Sequence, residues 1–508
     1  MKGEYDMISK PVLVTGATGY VGGRLIPLLL ESGYRVRAMA RSLAKLQSRP
    51  WSGHPHIELV QGDVLELDSL GKATSGCAAA FYLVHSMVAQ DHHFAEADRK
   101  SAHHMVTAAA EAGIERIIYL SGLGDSRSTA LSKHLQSRHE VGEILQSGAV
   151  PCTVLRAAMI LGSGSASFEI LRYLVERLPV MITPKWVFTP CQPIAIRNVL
   201  NYLIGCLEHP ETSGQVYDIG GPEVLTYRQI MDIYAEAAGL PKRWVIPVPF
   251  FTPTLSSYWI HLVTPVPSSI AVPLAQGLSS PVVCSETRIR SIVAQELLTC
   301  RKSIELALER LTQDRMDTCW MDAGPLQPPE WAYCGDAAYA GGTVLQCGFS
   351  VSLKASLSQV WGPIHRIGGK NGWYYASFLW QIRGWMDRLA GGVGLQRGRR
   401  SSSRLYTGDA LDFWRVLDID PPHRITLLAE MKTPGEAILE ITLTPQPDGV
   451  TQLQLLSRFL PRGLMGILYW YLLYPFHEVI FGGMLQAIAK DVGRPIVTGP
   501  ERFTRRIS

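Results

Sequence analysis

The sequence predicts two successive folds of different kinds: an α/β, doubly wound parallel sheet with a smaller lobe, then a separate α+β domain. Three observations predict this. Gly16, Gly19 and Gly22 stand between an apolar strand and an apolar helix. Strand and helix patterns alternate from there to about residue 160, which argues for parallel strands with helices on both faces. After DAGPLQPPEW (322–331), with its prolines and glycine, the rhythm changes to strands separated by turns.

The elements follow in order. PVLVTG is the first strand, GYVGGRLIPLLLESG a helix and YRVRAMAR the second strand. Pro27 should bend that helix, because it removes one ladder hydrogen bond. IELVQGD, AAFYLVHS, RIIYLSG and PCTVLRAAMI continue the strands, with the helix HFAEADRKSAHHMVTAAAEAG among them. From about 163 to 315 the texture suits a lobe: ASFEILRYLVERL and RQIMDIYAEAAGL are helical, and VYDIGG is strand-like. Residues 241–285 are rich in proline and aromatics and suit a cover over a cleft. ELALERLTQD closes this part as a helix, giving a first domain over 1–315 and a linker over 316–334.

In 335–500, VLQCGFSVSL, LDFWRVLDI, HRITLLAEM, AILEITLTP and TQLQLLSRF read as strands of an antiparallel sheet, with a PDG turn at 447–449. A long apolar helix from about 462 to 490 ends it. Its run LMGILYWYLLYPF (464–476) is shorter than the roughly 20 residues a bilayer crossing needs, so a buried or interfacial helix is expected.

With 47% hydrophobic and 18% charged residues, the 508-residue chain can bury more than one core. A net charge of +4 gives no case for nucleic acid. The nine cysteines form no CxxC pair, which suits buried thiols in a reducing compartment rather than a metal site. The polar start MKGEYDMISK lacks a signal-like apolar stretch, so a cytoplasmic location is expected.

The glycine triplet carries the first functional argument. Glycines let the backbone approach a pyrophosphate, and the following helix start offers N–H groups and partial positive charge. Arg41 ends the second strand where an NAD-selective site places a ribose-binding acid, which favours the 2′-phosphate of NADP. Asp63, after the third strand, suits either the adenine amino group or the cap of the next helix. His92, His93, His103 and His104 suit surface or core positions rather than a metal site. Trp361, Trp373, Tyr374, Tyr375, Trp380, Trp385, Trp414, Tyr469, Trp470 and Tyr471 suit either an apolar ligand cavity or a filled core. RGRR (397–400) suits a solvated loop, or contact with an acidic ligand or lipid head group.

TGATGYVGG, QGDV, FYLVHSM and IIYLSGLG, in this order, resemble the short-chain dehydrogenase/reductase superfamily, above all its NmrA-like branch, with an extended-type lobe at VYDIGGPEVLTYRQI. GWYYASFLWQIRGWMDRLAGGVGLQRGRR, LDFWRV and AEMKTPGEA resemble the DUF2867 domain, which is similar to the helix-grip fold of START and Bet v 1 proteins. The first resemblance implies a Rossmann sheet with NADP(H) along Gly16, Ala17, Thr18, Gly19, Tyr20, Val21 and Gly22. Arg41, Asp63, Val64, Leu83, Val84, Ser121 and Gly122 would complete that site. It implies a catalytic serine at Ser121, and it puts His134 and Arg138 where the superfamily has its tyrosine and lysine. His85 falls in a loop that borders the nicotinamide in the family.

Histidine can donate a proton near neutral pH if its charged form is supported, and arginine can hold ribose hydroxyls. The expectation is an NAD(P)H-dependent oxidoreductase acting on an apolar, cyclic or lipid-like carbonyl or enone. Two alternatives stand beside it: a cofactor-binding redox sensor without turnover, and an epimerase or isomerase with tightly held cofactor. Peripheral membrane contact is expected, if anywhere, through the C-terminal domain.

Overall fold

The structure, a computed structural model, describes residues 10–84, 94–124, 132–248, 277, 280–312, 344–389, 392–394, 399, 401 and 404–503. His85, most of 249–279 and the expected linker lie outside them. The chain divides into two compact units, Met1–Pro325 and Leu326–Ser508.

The first unit is built on seven strands: β1 (Val12–Thr15), β2 (Val36–Ala40), β3 (Ile57–Gln61), β4 (Ala79–Tyr82), β5 (Arg116–Gly122), β6 (Cys152–Ala157) and β7 (Val216–Ile219). Their order is β7-β6-β5-β4-β1-β2-β3 and every pairing is parallel. β1 is buried along its whole length, as a central parallel strand must be. Successive side chains point to opposite faces. Val12 and Val14 join Leu25, Ile26 and Leu29 of α1 (Gly22–Glu31) in one core. Leu13 joins Met105 and Ala109 of α2 (Phe94–Ala112) and Val141 and Leu145 of α3 (Lys133–Gln146) in the other. The sheet is therefore covered on both faces. α1 continues as a helix through Pro27.

VYDIGG corrects the sequence reading. Its first residues are the edge strand of the main sheet, paired Val216 to Val154, rather than part of the lobe. The lobe core gathers Phe168, Tyr234 and Ile304 from helices Ala166–Arg177, Tyr227–Ala237 and Cys300–Thr312. Asp218 of β7 anchors a following segment: it takes an ion pair from Arg156 at 2.6 Å and accepts bonds from the Ser285 N–H and hydroxyl at 2.8 and 2.7 Å.

The second unit is an antiparallel sheet of β8 (Leu345–Leu353), β9 (Ala410–Leu411), β10 (Trp414–Asp420), β11 (Arg424–Ala429), β12 (Gly435–Gln446), β13 (Val450–Pro461) and β14 (Ile496–Phe503), ordered β9-β10-β11-β12-β13-β8-β14. Helices α4 (Leu357–His365) and α5 (Ser377–Leu389) follow β8, and α6 (Gly463–Val492) follows β13. The PDG turn joins β12 to β13, with Asp448 at φ 61°. α6 ends on Gly493 at φ 66°, a left-handed cap that glycine adopts without Cβ strain. The sequence reading stopped at this helix, but the chain then returns as strand β14 beside β8. The later half of α6 buries Ile480, Met484, Leu485 and Ile488 against β8 and β13 residues such as Val351 and Leu453. Its earlier half exposes most of its apolar side chains. Among the described residues, α6 is the one helix long and apolar enough to cross a membrane by length and composition.

Candidate functional site

The carboxyl ends of β1, β4 and β5 meet where the strand order reverses between β1 and β4, the place where doubly wound sheets bind ligands. The turn after β1 is held by Thr15, whose Oγ1 donates to the Phe81 carbonyl at 3.0 Å and accepts from the Leu83 N–H at 3.1 Å. Gly16 has φ +67°, and a Cβ there would stand 2.7 Å from the Leu83 carbonyl oxygen. The Gly19 N–H bonds back to the Gly16 carbonyl at 2.9 Å. A Cβ on Gly22 would stand 2.4 Å from the same carbonyl oxygen. These positions therefore need glycine to close the turn. α1 then starts at Gly22 with no side-chain cap and no acidic residue in its first turn. Its partial positive end is thus not offset by a local carboxylate, which suits an anionic group.

The flanking residues surround this turn. Ala17 and Thr18 are buried, while Gly19, Tyr20 and Val21 are half-buried. The Arg24 guanidinium stacks 4.8 Å from the Tyr20 ring centroid and donates to the Ser163 carbonyl at 2.7 Å, tying α1 to the segment after β6. Arg41 is exposed just past β2, the neighbour of β1. Asp63 Oδ1 accepts from the Leu65 N–H at 3.0 Å, so at least that oxygen serves the local turn. Val64 is buried, and its carbonyl meets His104 Nδ1 at 3.1 Å, which places His104 in a structural contact. Leu83 and Val84 are half-buried after β4; Val84 stands 3.5 Å from the Cβ position of Gly16.

β5 ends in Ser121 and Gly122, against α3. Gly122 has Leu135 Cδ2 at 2.4 Å from its Cβ position, so the helix sits directly on the strand. Ser121 is buried, and its hydroxyl donates to the Arg138 carbonyl at 3.2 Å. Tyr119 donates to that same carbonyl, also at 3.2 Å. The Arg138 guanidinium donates to the Leu120 carbonyl at 2.6 Å, and its Nε is buried without a hydrogen-bond partner among the described residues. The sequence placed Ser121, His134 and Arg138 together; the structure brings Ser121 and Arg138 to one strand–helix contact, with His134 one turn before Arg138 on the same helix. Their bonds differ from the expectation. The serine hydroxyl is committed to helix backbone, and the arginine to a strand carbonyl.

His134 differs in its electrostatics. Burial, and then the Arg138 guanidinium, push its imidazole down to about 3, so it is neutral at pH 7. That opposes its expected use as an imidazolium acid. Sequence reasoning missed His139, one turn further on, whose Nε2 meets the Gly122 carbonyl at 3.2 Å. It also missed the buried Asp98 of α2, which accepts from the Ser137 hydroxyl at 3.0 Å and locks α2 to α3 behind the site. A histidine directly after Arg138, in QSRH, was the available signal for the first; an acid inside a helix gave none for the second.

Comparison with known proteins agrees with both resemblances. Residues 8–252 match the NmrA-like family, and residues 339–484 match the protein of unknown function DUF2867. The first unit thus resembles NmrA-like proteins, and the second the DUF2867 domain. It is 30% identical over 121 residues to cinnamoyl-CoA reductase 1 of Petunia hybrida, covering 22% of this chain and 35% of that one. The chain therefore spans only about a third of that relative's length. It is 24% identical over 246 residues to cinnamoyl-CoA reductase 2 of Arabidopsis thaliana, covering 41% of this chain and 71% of that one. Among solved structures, the triphenylmethane reductase of Citrobacter sp. complexed with NADP(H) is similar at 18% identity and a TM-score of 0.48, over 58% of this chain and 99% of that one.

Proposed function

We propose that the first unit is an NADP(H)-dependent reductase of an apolar carbonyl or enone. The observation that carries this is the Gly16–Gly22 turn, shaped so that a Cβ on Gly22 collides with backbone, at the reversal point of a doubly wound sheet. The reductase names of the curated relatives support the same reading. When bound, NADPH supplies the hydride. The α1 N-terminus would hold the pyrophosphate, Arg41 the 2′-phosphate, and the Leu83–Val84 edge would bound the nicotinamide side. Ser121 and Tyr119 hold α3 in place through the Arg138 carbonyl. His134 offers a neutral ring that can hydrogen-bond a substrate oxygen without carrying charge. The proton is then taken from solvent, which a conjugated acceptor tolerates.

The committed Ser121 hydroxyl and the neutral His134 favour a second reading, a cofactor-binding sensor without turnover. For the second unit the proposed role is to bind an apolar ligand in a helix-grip-like sheet. The indole N–H groups of Trp380 and Trp414, buried without a partner among the described residues, would donate to an acceptor atom on such a ligand. Fluorescence titration tests the first step. NADPH should bind the wild-type chain, and Gly22→Ala should weaken it about 10- to 100-fold, the effect of about 1–3 kcal/mol of overpacking. No binding by the wild-type chain would overturn the reading.

A further inference from the structure

Two helices of the second unit present apolar faces that no part of the described structure covers. On α5, Phe378, Ile382, Trp385, Met386 and Leu389 fall at i, i+4, i+7, i+8 and i+11, one face of a helix, and all are exposed. On the first half of α6, Leu464, Leu468, Leu472, Phe476 and Val479 form another such face, exposed by 51% to 79%. Among the described residues from Leu464 to Val479 on that helix, the acid is Glu478 near the end, which pairs with Arg502 at 3.1 Å.

The two helices are joined beside these faces. Arg383 of α5 donates to the Tyr469 hydroxyl of α6 at 2.7 Å and touches Met431 Sδ at 3.1 Å. The 430–434 loop joins both helices: the Lys432 N–H donates to Asp387 of α5 at 2.7 Å, and the Pro434 carbonyl accepts from the Arg462 N–H, just before α6, at 2.9 Å. Gly466 fits there because a Cβ would stand 2.3 Å from the Pro434 oxygen. The ten side chains of the two faces are each more than half exposed, well beyond the scattered single apolar residues usual on a monomer.

We infer that this surface seats in the interfacial layer of a lipid bilayer, holding the second unit on the membrane without crossing it. Three observations favour lipid over a protein partner. The polar side chains within the faces are few, chiefly Ser377, Gln381 and the Tyr471 hydroxyl, whereas protein interfaces carry about one hydrogen bond per 100–200 Å². Trp385 and Tyr471, exposed by 66% and 61%, are residue types that favour the membrane–water boundary. At the rim, Lys432 and Arg462 are exposed, while Asp387 is 1% exposed and turned to the loop backbone. Arg462 also pairs with Glu436 at 2.7 Å, so Lys432 is the rim cation best placed to meet a phosphate head group.

A crossing is excluded by the same helix. Residues 464–479 extend about 24 Å at ~1.5 Å per residue, short of the ~30 Å hydrocarbon core. Beyond them α6 is committed to the protein core at Ile480, Met484, Leu485 and Ile488. An apolar face flanked by cations lies in the interface plane instead.

The test is flotation of the full chain with phosphatidylcholine vesicles containing phosphatidylglycerol, beside its oligomeric state by light scattering. The wild-type chain should float with the vesicles as a monomer, with a blue shift of tryptophan emission. Leu472→Glu and Trp385→Glu, both exposed and so compatible with folding, should each lower partitioning at least about 10-fold while circular dichroism is unchanged. Absence of flotation overturns the proposal. So does a dimer that Leu472→Glu dissociates, since a second copy would then cover the face. Flotation unaffected by either substitution overturns it equally.

Discussion

The sharpest perturbation is His134→Phe, read as a function of pH. In the folded chain this imidazole is held down to about 3, by burial first and by Arg138 second. In the unfolded chain it titrates near ~6.5. As pH falls below about 6.5 the unfolded chain takes up this proton and the folded chain does not. Stability is therefore complete above that value and declines as pH falls toward the folded value. Between pH 8 and pH 5 the loss through this one side chain is about 2 kcal/mol, at ~1.4 kcal/mol per pH unit below ~6.5. His134→Phe should abolish that increment. His477, pushed down to about 4 by burial and then by Arg383, should still contribute a similar loss. At pH 7 only about one His134 in 10⁴ carries the proton, so the substitution should change turnover less than about 10-fold, not the 10²–10⁴-fold of a positioned acid. The direct assay is histidine-selective ¹³C NMR between pH 4 and pH 8, assigning the resonance lost in His134→Phe. A His134 resonance that titrates between pH 6 and pH 7 would refute the reasoning and restore the imidazolium as proton donor.

Arg41→Asp should convert a preference for NADPH over NADH into parity or its reverse, because an acid at the end of β2 repels the 2′-phosphate and accepts from ribose hydroxyls; paired fluorescence titrations read this, and equal affinities in the wild type would contradict it. Asp218→Ala should destabilise the first unit by about 3–5 kcal/mol, since it strands the Arg156 guanidinium and releases Ser285; a drop in melting temperature under about 2 °C would mean that the pair contributes little.

Much of the first unit was legible because its signals are local. β1 is a continuous apolar run, and the glycines that follow are forced by close backbone contacts that few other residues survive. VYDIGG was misplaced because a four-residue strand carries no mark of the sheet it joins; its pairing with β6 is a contact between residues more than sixty apart in the chain. β14 was missed since IVTGPERF is mostly exposed and lacks the alternation of a half-buried strand. In the candidate site, positions were readable and chemistry was not. The place of His134 followed from its spacing to Ser121, but its charge state depends on burial and on Arg138, which only the packed helix reveals. Likewise, the apolar run at 464–476 showed that α6 is unusual, while the neighbouring face of α5 became visible only when loop 430–434 joined them.

Transfer of deuterium from NADPH labelled at the nicotinamide C4 to an apolar enone or quinone, followed by mass spectrometry of the product, tests the reductase claim most directly. The wild-type chain should yield a product carrying the label, and Gly22→Ala far less of it at the same cofactor concentration. A chain that binds NADPH tightly yet returns every acceptor in the panel unlabelled and unreduced would contradict the claim and leave the first unit as a nucleotide sensor.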